Sequence, residues 1–252
     1  SEVTMRRSGI GTIRVSHASC GDQVWIVRSA PTGWGDLEAF KAVLGDDTAG
    51  RMLTNPNTVG IFDENILEIT RLVHEAGGLC YYDGANLNAV MGVVRPGDMG
   101  FDCIHLNLHK AFSTPHGGGG PGSGPVGCKA FLAPFLPGPI PEKTENGFRF
   151  AQPAPSVGRV RAFSGNFLVV VKAFAYLTVL GREGVQEVGR NAVLNANYRM
   201  AALQDVDDMA YPGPWMHEFV MTLDRLHKET GVSALDIAKG LLDNGIHPPT
   251  MY

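Results

Sequence analysis

The sequence predicts an α/β fold, a mainly parallel sheet flanked by helices. Three observations carry that expectation. Short apolar runs alternate with stretches of helical periodicity, several of the apolar runs end on a polar residue, and 252 residues suffice for one large domain and the start of a second. Strands that alternate with helices imply right-handed crossovers, and ligands then bind beyond the carboxyl ends of the strands.

The elements follow in order. Gln23 to Arg28 reads as a strand, Asp36 to Leu44 as a helix and Arg51 to Thr54 as a short buried strand. Asp63 to Ala76 reads as an amphipathic helix, because Ile66, Ile69, Leu72 and Val73 fall at helical spacing, with Asp63 as N-cap and Gly77-Gly78 as the stop. Leu79 to Tyr82 is a buried strand running into Asp83-Gly84, and Phe101 to Leu108 another, after the turn-rich Arg95-Pro-Gly-Asp98. Residues 113–158 are Gly- and Pro-rich and read as long ordered loops. Two helices follow, Phe163 to Leu180 and Val185 to Val206, the second interrupted at Gly189. The strand His217 to Leu223 and the helix Ser233 to Asp243 open a smaller C-terminal α/β unit, so the division expected is 1–210 and 211–252.

An apolar fraction of 44% and a charged fraction of 18% describe an ordinary globular chain. A net charge of -4 with scattered basic residues argues against nucleic acid as a partner. Cys20, Cys80, Cys103 and Cys128 lack Cys-x-x-Cys spacing, and three of them lie in apolar stretches that read as core; they suggest a reducing compartment, without a disulfide frame or a zinc site. The most apolar stretch, Phe163 to Leu180, carries Lys172 near its middle, which costs roughly 2.5 to 3.5 kcal/mol in a bilayer, so a buried core helix is expected and no membrane span.

The chemistry concentrates in Asn107-Leu-His-Lys110 and in His116-Gly-Gly-Gly-Gly-Pro-Gly122. A lysine where a strand gives way to a glycine-rich loop is a candidate Schiff-base nucleophile beside a backbone able to close on a flat, charged ligand. In Cys103 to Leu108 the apolar Ile104, Leu106 and Leu108 alternate with His105, Asn107 and His109, which period two places on one strand face. A metal site at His105, His109 and His116 is one rival, although the zinc-protease pattern needs Glu where Leu106 stands; a polar strand face with satisfied neighbours is another. Gly122-Ser-Gly-Pro-Val-Gly127 fits G-x-G-x-x-G in letters but follows glycines and Pro121 instead of a strand, and a Walker loop fails at Cys128-Lys129-Ala130. Asp83 and Lys110 form the best pair. Pyridoxal phosphate needs a lysine for its aldimine and an acid beside the ring nitrogen. At about 4 Å and an effective dielectric near 20 that ion pair is worth on the order of 4 kcal/mol before desolvation.

Several long motifs stand together: Leu53-Thr-Asn-Pro-Asn-Thr58, Tyr81-Tyr-Asp-Gly-Ala-Asn-Leu-Asn88, Arg95-Pro-Gly-Asp-Met-Gly100, His105-Leu-Asn-Leu-His-Lys110, His116-Gly-Gly-Gly-Gly-Pro-Gly-Ser-Gly-Pro125 and Gly158-Arg-Val-Arg161. They resemble the pyridoxal-phosphate half of glycine decarboxylase, the P-protein of the glycine cleavage system, from about Val24 to the C-terminus. The resemblance implies a fold-type I enzyme with pyridoxal 5'-phosphate bound as an aldimine of Lys110, Asp83 at the ring nitrogen and Ala85 packed on the ring. It implies that Asn107 and His109 line the cofactor site and that Thr54 and His116 lie near it, with no metal. The implied reaction decarboxylates glycine and passes the aminomethyl group to the lipoyl group of H-protein. The implied partners are glycine, lipoylated H-protein and the other P-protein half or subunit, in an oligomer of the bacterial cytoplasm or the mitochondrial matrix, the former favoured.

The chain departs from that family before Val24. Arg14-Val-Ser-His-Ala-Ser19 does not reproduce the His-Gly-Thr-Asn-Pro-like motif whose histidine stacks on the ring, and His17 is the candidate to stand in. Ser1-Glu2 and Thr250-Met-Tyr252 read as cut ends, so this is expected to be a partial chain, either completed by missing parts or a catalytically silent assembly piece. Another fold-type I decarboxylase or aminotransferase is the third reading. Arg161 is a candidate carboxylate clamp or a structural ion-pair residue.

Overall fold

The computed structural model describes residues 2–7, 22–249 and 251; His17, Cys20 and the Arg14–Ser19 segment lie outside the described residues. A six-stranded sheet runs in the order β2-β1-β3-β4-β5-β6, with β1 Glu2–Arg7, β2 Asp22–Val27, β3 Gly50–Leu53, β4 Leu79–Gly84, β5 Cys103–Leu106 and β6 Val126–Cys128. β3, β4 and β5 pair in parallel, β2 points the same way across β1, and β1 and β6 run against them. The sheet is mainly parallel, as expected.

Helix α1 (Leu37–Val43) is capped by Asp36, whose Oδ1 accepts from Ala39 N–H at 2.9 Å. Helix α2 (Ile66–Glu75) buries Ile66, Ile69, Thr70 and Val73 against the sheet, the stripe its spacing predicted. Its N-cap is Asn65 and not Asp63, because Asp63 is engaged elsewhere, accepting from Asn65 and Gly35 N–H. The core joins these residues to Phe40, Leu53, Tyr82, Val90, Met99, Phe101 and Leu108.

Further expectations are corrected. β5 stops at Leu106, and Leu108–Ala111 forms a single helical turn, α3, because Leu108 N–H is taken by Ser123 O at 3.2 Å and Asn107 O receives Lys110 and Ala111 N–H. His105, Asn107 and His109 therefore do not share one strand face. Residues 113–158 are not all loop: besides β6 they hold a 3-10 helix, Ala130–Phe135, and the hairpin β7 (Ile140–Thr144) and β8 (Gly147–Ala151). The two long helices are there as expected, α4 (Phe167–Leu203) being parted at Gly181 (φ 62°, ψ −173°), between the expected ends at Leu180 and Val185, but the expected interruption at Gly189 is not found. Gly189 stays helical, since its bare Cα lets the 88–91 carbonyls approach within 3.3–3.5 Å of where a Cβ would stand. The first half of α4 is not a buried core helix either: Phe167, Leu168 and Val179 are 76%, 78% and 86% exposed while Val169, Ala173, Tyr176 and Leu177 pack inward.

The segment His217 to Leu223 pairs only through a Met209↔Met221 bridge and is no strand. Two helices close the described chain, α5 (Asp224–Thr230) and α6 (Ala234–Asp243), the second with a Ser233/Asp236 capping box. No helix among the described residues is long and apolar enough to cross a membrane.

Candidate active site

The carboxyl ends of β3, β4 and β5 set the site. Leu53 pairs with Tyr82, Tyr82 with Ile104 and Asp83 with His105, so Thr54, Asp83 and His105 stand in one row across three parallel strands. Period two places Tyr81 and Asp83 on one face of β4 and His105 on the same face of β5. Tyr81 Oη lies 2.8 Å from His105 Nδ1, and His105 Nε2 lies 3.2 Å from Asp83 Oδ1. Burial pushes the Tyr81 hydroxyl up to about 12, so it stays protonated beside Nδ1, while Nε2 faces Asp83.

Burial raises the Asp83 carboxyl, but the His105 hydrogen bond, the Ala85 N–H at 2.9 Å and the Lys110 charge outweigh it and hold Asp83 below the usual carboxylate value. Both hydrogen-bond contacts fall on Oδ1. Oδ2 has no hydrogen-bond partner among the described residues.

An open depression of about 370 Å³ lies beside this row, walled by His105, Asn107, His109, His116 and the glycines around Ser123. The rings of His109 and His116 meet edge to face at 4.3 Å, and the buried Nδ1 atoms of both lack a hydrogen-bond partner among the described residues. Burial, then His116 and Lys110, keeps the His109 imidazole below its ordinary pKa and so neutral. Gly122 and Ser123 are held from outside: Asn166 Nδ2 donates to Gly122 O, and Asn166 N–H donates to Ser123 Oγ at 3.2 Å.

The structure thus gathers Asn107, His109 and His116 in one depression and joins Asp83 and Ala85 to it through His105. Lys110 is exposed on α3, its charge acting on both Asp83 and His109. Thr54 reaches this edge of the sheet by register alone, half-buried. Arg161 is exposed and forms no ion pair among the described residues; it lines a second depression with Arg159 and the β7–β8 hairpin.

Sequence reasoning missed Tyr81 and treated His105 only as a metal rival. Shared parity with Asp83 on facing strands was the available signal. A three-histidine metal site does not suit this geometry, because both ring nitrogens of His105 are engaged. His74, Cys80 and Asp102 do bring ligand atoms within 4.8 Å at the other end of the strands. There Asp102 already accepts from His74, Lys129 and the Cys80 N–H, and burial pushes the Cys80 thiol up to about 12, so the group is an anchor.

Residues 188–252 match the sequence profile of the family described as glycine dehydrogenase, C-terminal domain. Over 253 aligned residues the whole chain is 55% identical to the probable glycine dehydrogenase (decarboxylating) subunit 2 of Treponema denticola, and 56% identical to the protein of that name from Desulforamulus reducens. Along its whole length the chain is thus similar to proteins named glycine dehydrogenase (decarboxylating) subunit 2. It spans about half the length of these relatives, 52% of each. Among solved structures, a cysteine desulfurase from Thermococcus onnurineus superposes with a TM-score of 0.60 at 16% identity, covering 88% of this chain and 54% of that one. The cysteine desulfurase CsdA of Escherichia coli gives 0.61 at 18%, covering 87% and 53%. Identity this low speaks for the fold alone: the chain shares the α/β architecture of these two proteins.

Proposed function

We propose that this chain carries the cofactor-holding core of a pyridoxal-phosphate-dependent glycine decarboxylase, completed by further protein of the same enzyme. The observation that supports it most is Asp83: an ionised carboxylate at a strand end, with Oδ1 fixed by Ala85 and His105 and Oδ2 uncommitted. The residues present fit the cofactor on two further counts. The buried Nδ1 atoms of His109 and His116 lack partners among the described residues, and the glycine wall leaves open space where Cβ atoms of residues 117–120 would stand. When bound, pyridoxal phosphate supplies an electron sink for the charge left on the glycine carbon as its carboxylate departs.

The protein's own groups do the rest. Asp83 Oδ2 would hold a proton on the ring nitrogen of the bound cofactor, and the Tyr81–His105 pair keeps Asp83 oriented and charged. Lys110 would hold the cofactor through its amine. Neutral His109, with the His116 ring packed edge to face against it, offers a hydrogen bond without adding positive charge where an ammonium substrate must enter. Ala85, Asn107 and Thr54 shape the wall. The aminomethyl group then passes to the lipoyl disulfide of an H-protein. Exposed apolar residues such as Phe148 and Phe150, 77% and 73% open, support work against another protein surface, such as the second subunit.

The test is direct. The chain is mixed with pyridoxal phosphate, its visible absorption recorded, the complex reduced with borohydride and the labelled peptide mapped. Label on Lys110 is expected; label elsewhere, or none, overturns the assignment.

A further inference from the structure

β5 and β6 run antiparallel with Cys103 directly opposite Cys128. Lys129 N–H donates to Asp102 O at 2.8 Å, so 102 and 129 form the hydrogen-bonded pair and Cys103 and Cys128, one step on, a non-hydrogen-bonded one. In such pairs the Cα atoms stand about 4.5 Å apart with side chains drawn together, within the roughly 4.4 to 6.8 Å that a disulfide spans. Both thiols are free, both are half-buried, and β6 is the edge strand, open to small reagents. Cys80 cannot compete. It lies on the other face of β4 from Tyr81, the register partner of Cys103, with Sγ turned to Thr70 O of α2 at 3.9 Å.

We propose that Cys103 and Cys128 are a modification site: a reversible cross-strand disulfide formed by exchange with a low-molecular-weight disulfide, fastening β6 to β5. Cys128, on the edge strand, attacks one sulfur of the small disulfide as its thiolate. That S–S bond breaks, a mixed disulfide forms on Cys128, and one small thiolate leaves. Cys103 loses its proton to solvent and attacks Cys128 Sγ, expelling the second small thiolate. Two protein thiols are thereby oxidised by two electrons, and the small disulfide is reduced to two thiols. Burial, reinforced by Asp102, pushes the Cys103 thiol up to about 11, so the closing step is slow at neutral pH and quickens as pH rises.

The bond bears on the site. Cys103 precedes His105 by two residues on the same strand face, and β6 follows directly on the glycine-rich wall. Closing it ties that wall to the strand that holds His105.

The test uses the full reduced chain, folded, incubated with oxidised glutathione at several pH values, then acid-quenched, alkylated with N-ethylmaleimide and mapped by mass spectrometry. The expected product is a Cys103–Cys128 peptide pair lighter by two hydrogens, released by dithiothreitol, formed faster at higher pH and retained in Cys80→Ser. Hydrogen exchange in 116–125 slows in the linked form. A link to Cys20 or Cys80, or prolonged incubation that leaves Cys103 and Cys128 only alkylated or glutathionylated, overturns the proposal.

Discussion

Asp83 owes its charge to its neighbours more than to water. Because its carboxyl is held below the ordinary value, the stability it contributes is fully present above about pH 4 and is lost as pH falls through the depressed folded value. Urea unfolding followed from pH 7 downward should show the gap between wild type and Asp83→Asn steady near neutrality and closing in acid. In the completed enzyme the same substitution removes an ion pair worth about 4 kcal/mol, so kcat/KM should fall by roughly three decades. His105→Phe, which removes the contact to Oδ1, should shift the acid limb of the kcat/KM profile upward, because Asp83 then protonates more readily; an unmoved limb would count against the relay. Asp83 and Lys110 were legible in the sequence because each lies near the end of an apolar run. Tyr81–His105 was not, since residues 24 apart meet only once two strands are in register.

At the scale of elements, two contacts set the alignment of β4 with β5. A Cβ on Gly84 would lie 2.0 Å from His105 O, so only glycine lets the strands close at the row that matters. Gly84→Ala should cost about 1 to 3 kcal/mol in denaturant unfolding and weaken cofactor binding with it, by moving His105 from Asp83. At the opposite end Asp102, 3% exposed, ties α2, β4 and the end of β6 through His74, Cys80 N–H and Lys129. Asp102→Ala should cost about 3 to 5 kcal/mol at pH 7, measured by urea titration, with a smaller difference in acid because the wild-type carboxyl, also held low, protonates there. Strand and helix positions followed from periodicity to within a few residues. Two failures are the turn at Asn107, fixed by the bond from Leu108 N–H to Ser123 O, and the hairpin at 140–151, fixed by pairing between its own strands, and helical periodicity carries neither; the helix break expected between Leu180 and Val185 falls at Gly181.

For the molecule as a whole, the apolar surface is the feature the sequence misread. A helix rich in apolar residues on every side looks buried, and within this chain α4 is covered on one side only. Phe148, Phe150, Phe167 and Leu168 all remain open. The isolated chain should therefore self-associate, its sedimentation coefficient rising with concentration, and Phe167→Glu with Leu168→Glu should flatten that rise while leaving the circular dichroism unchanged. The row Thr54–Asp83–His105 has a different kind of consequence. It exists only when three strands have found one alignment, and a slip of a single residue would turn Asp83 or His105 to the other face of the sheet. On the function proposed above, chromophore bound at Lys110 would therefore count correctly threaded molecules, and the ligand would double as an assay of folding fidelity.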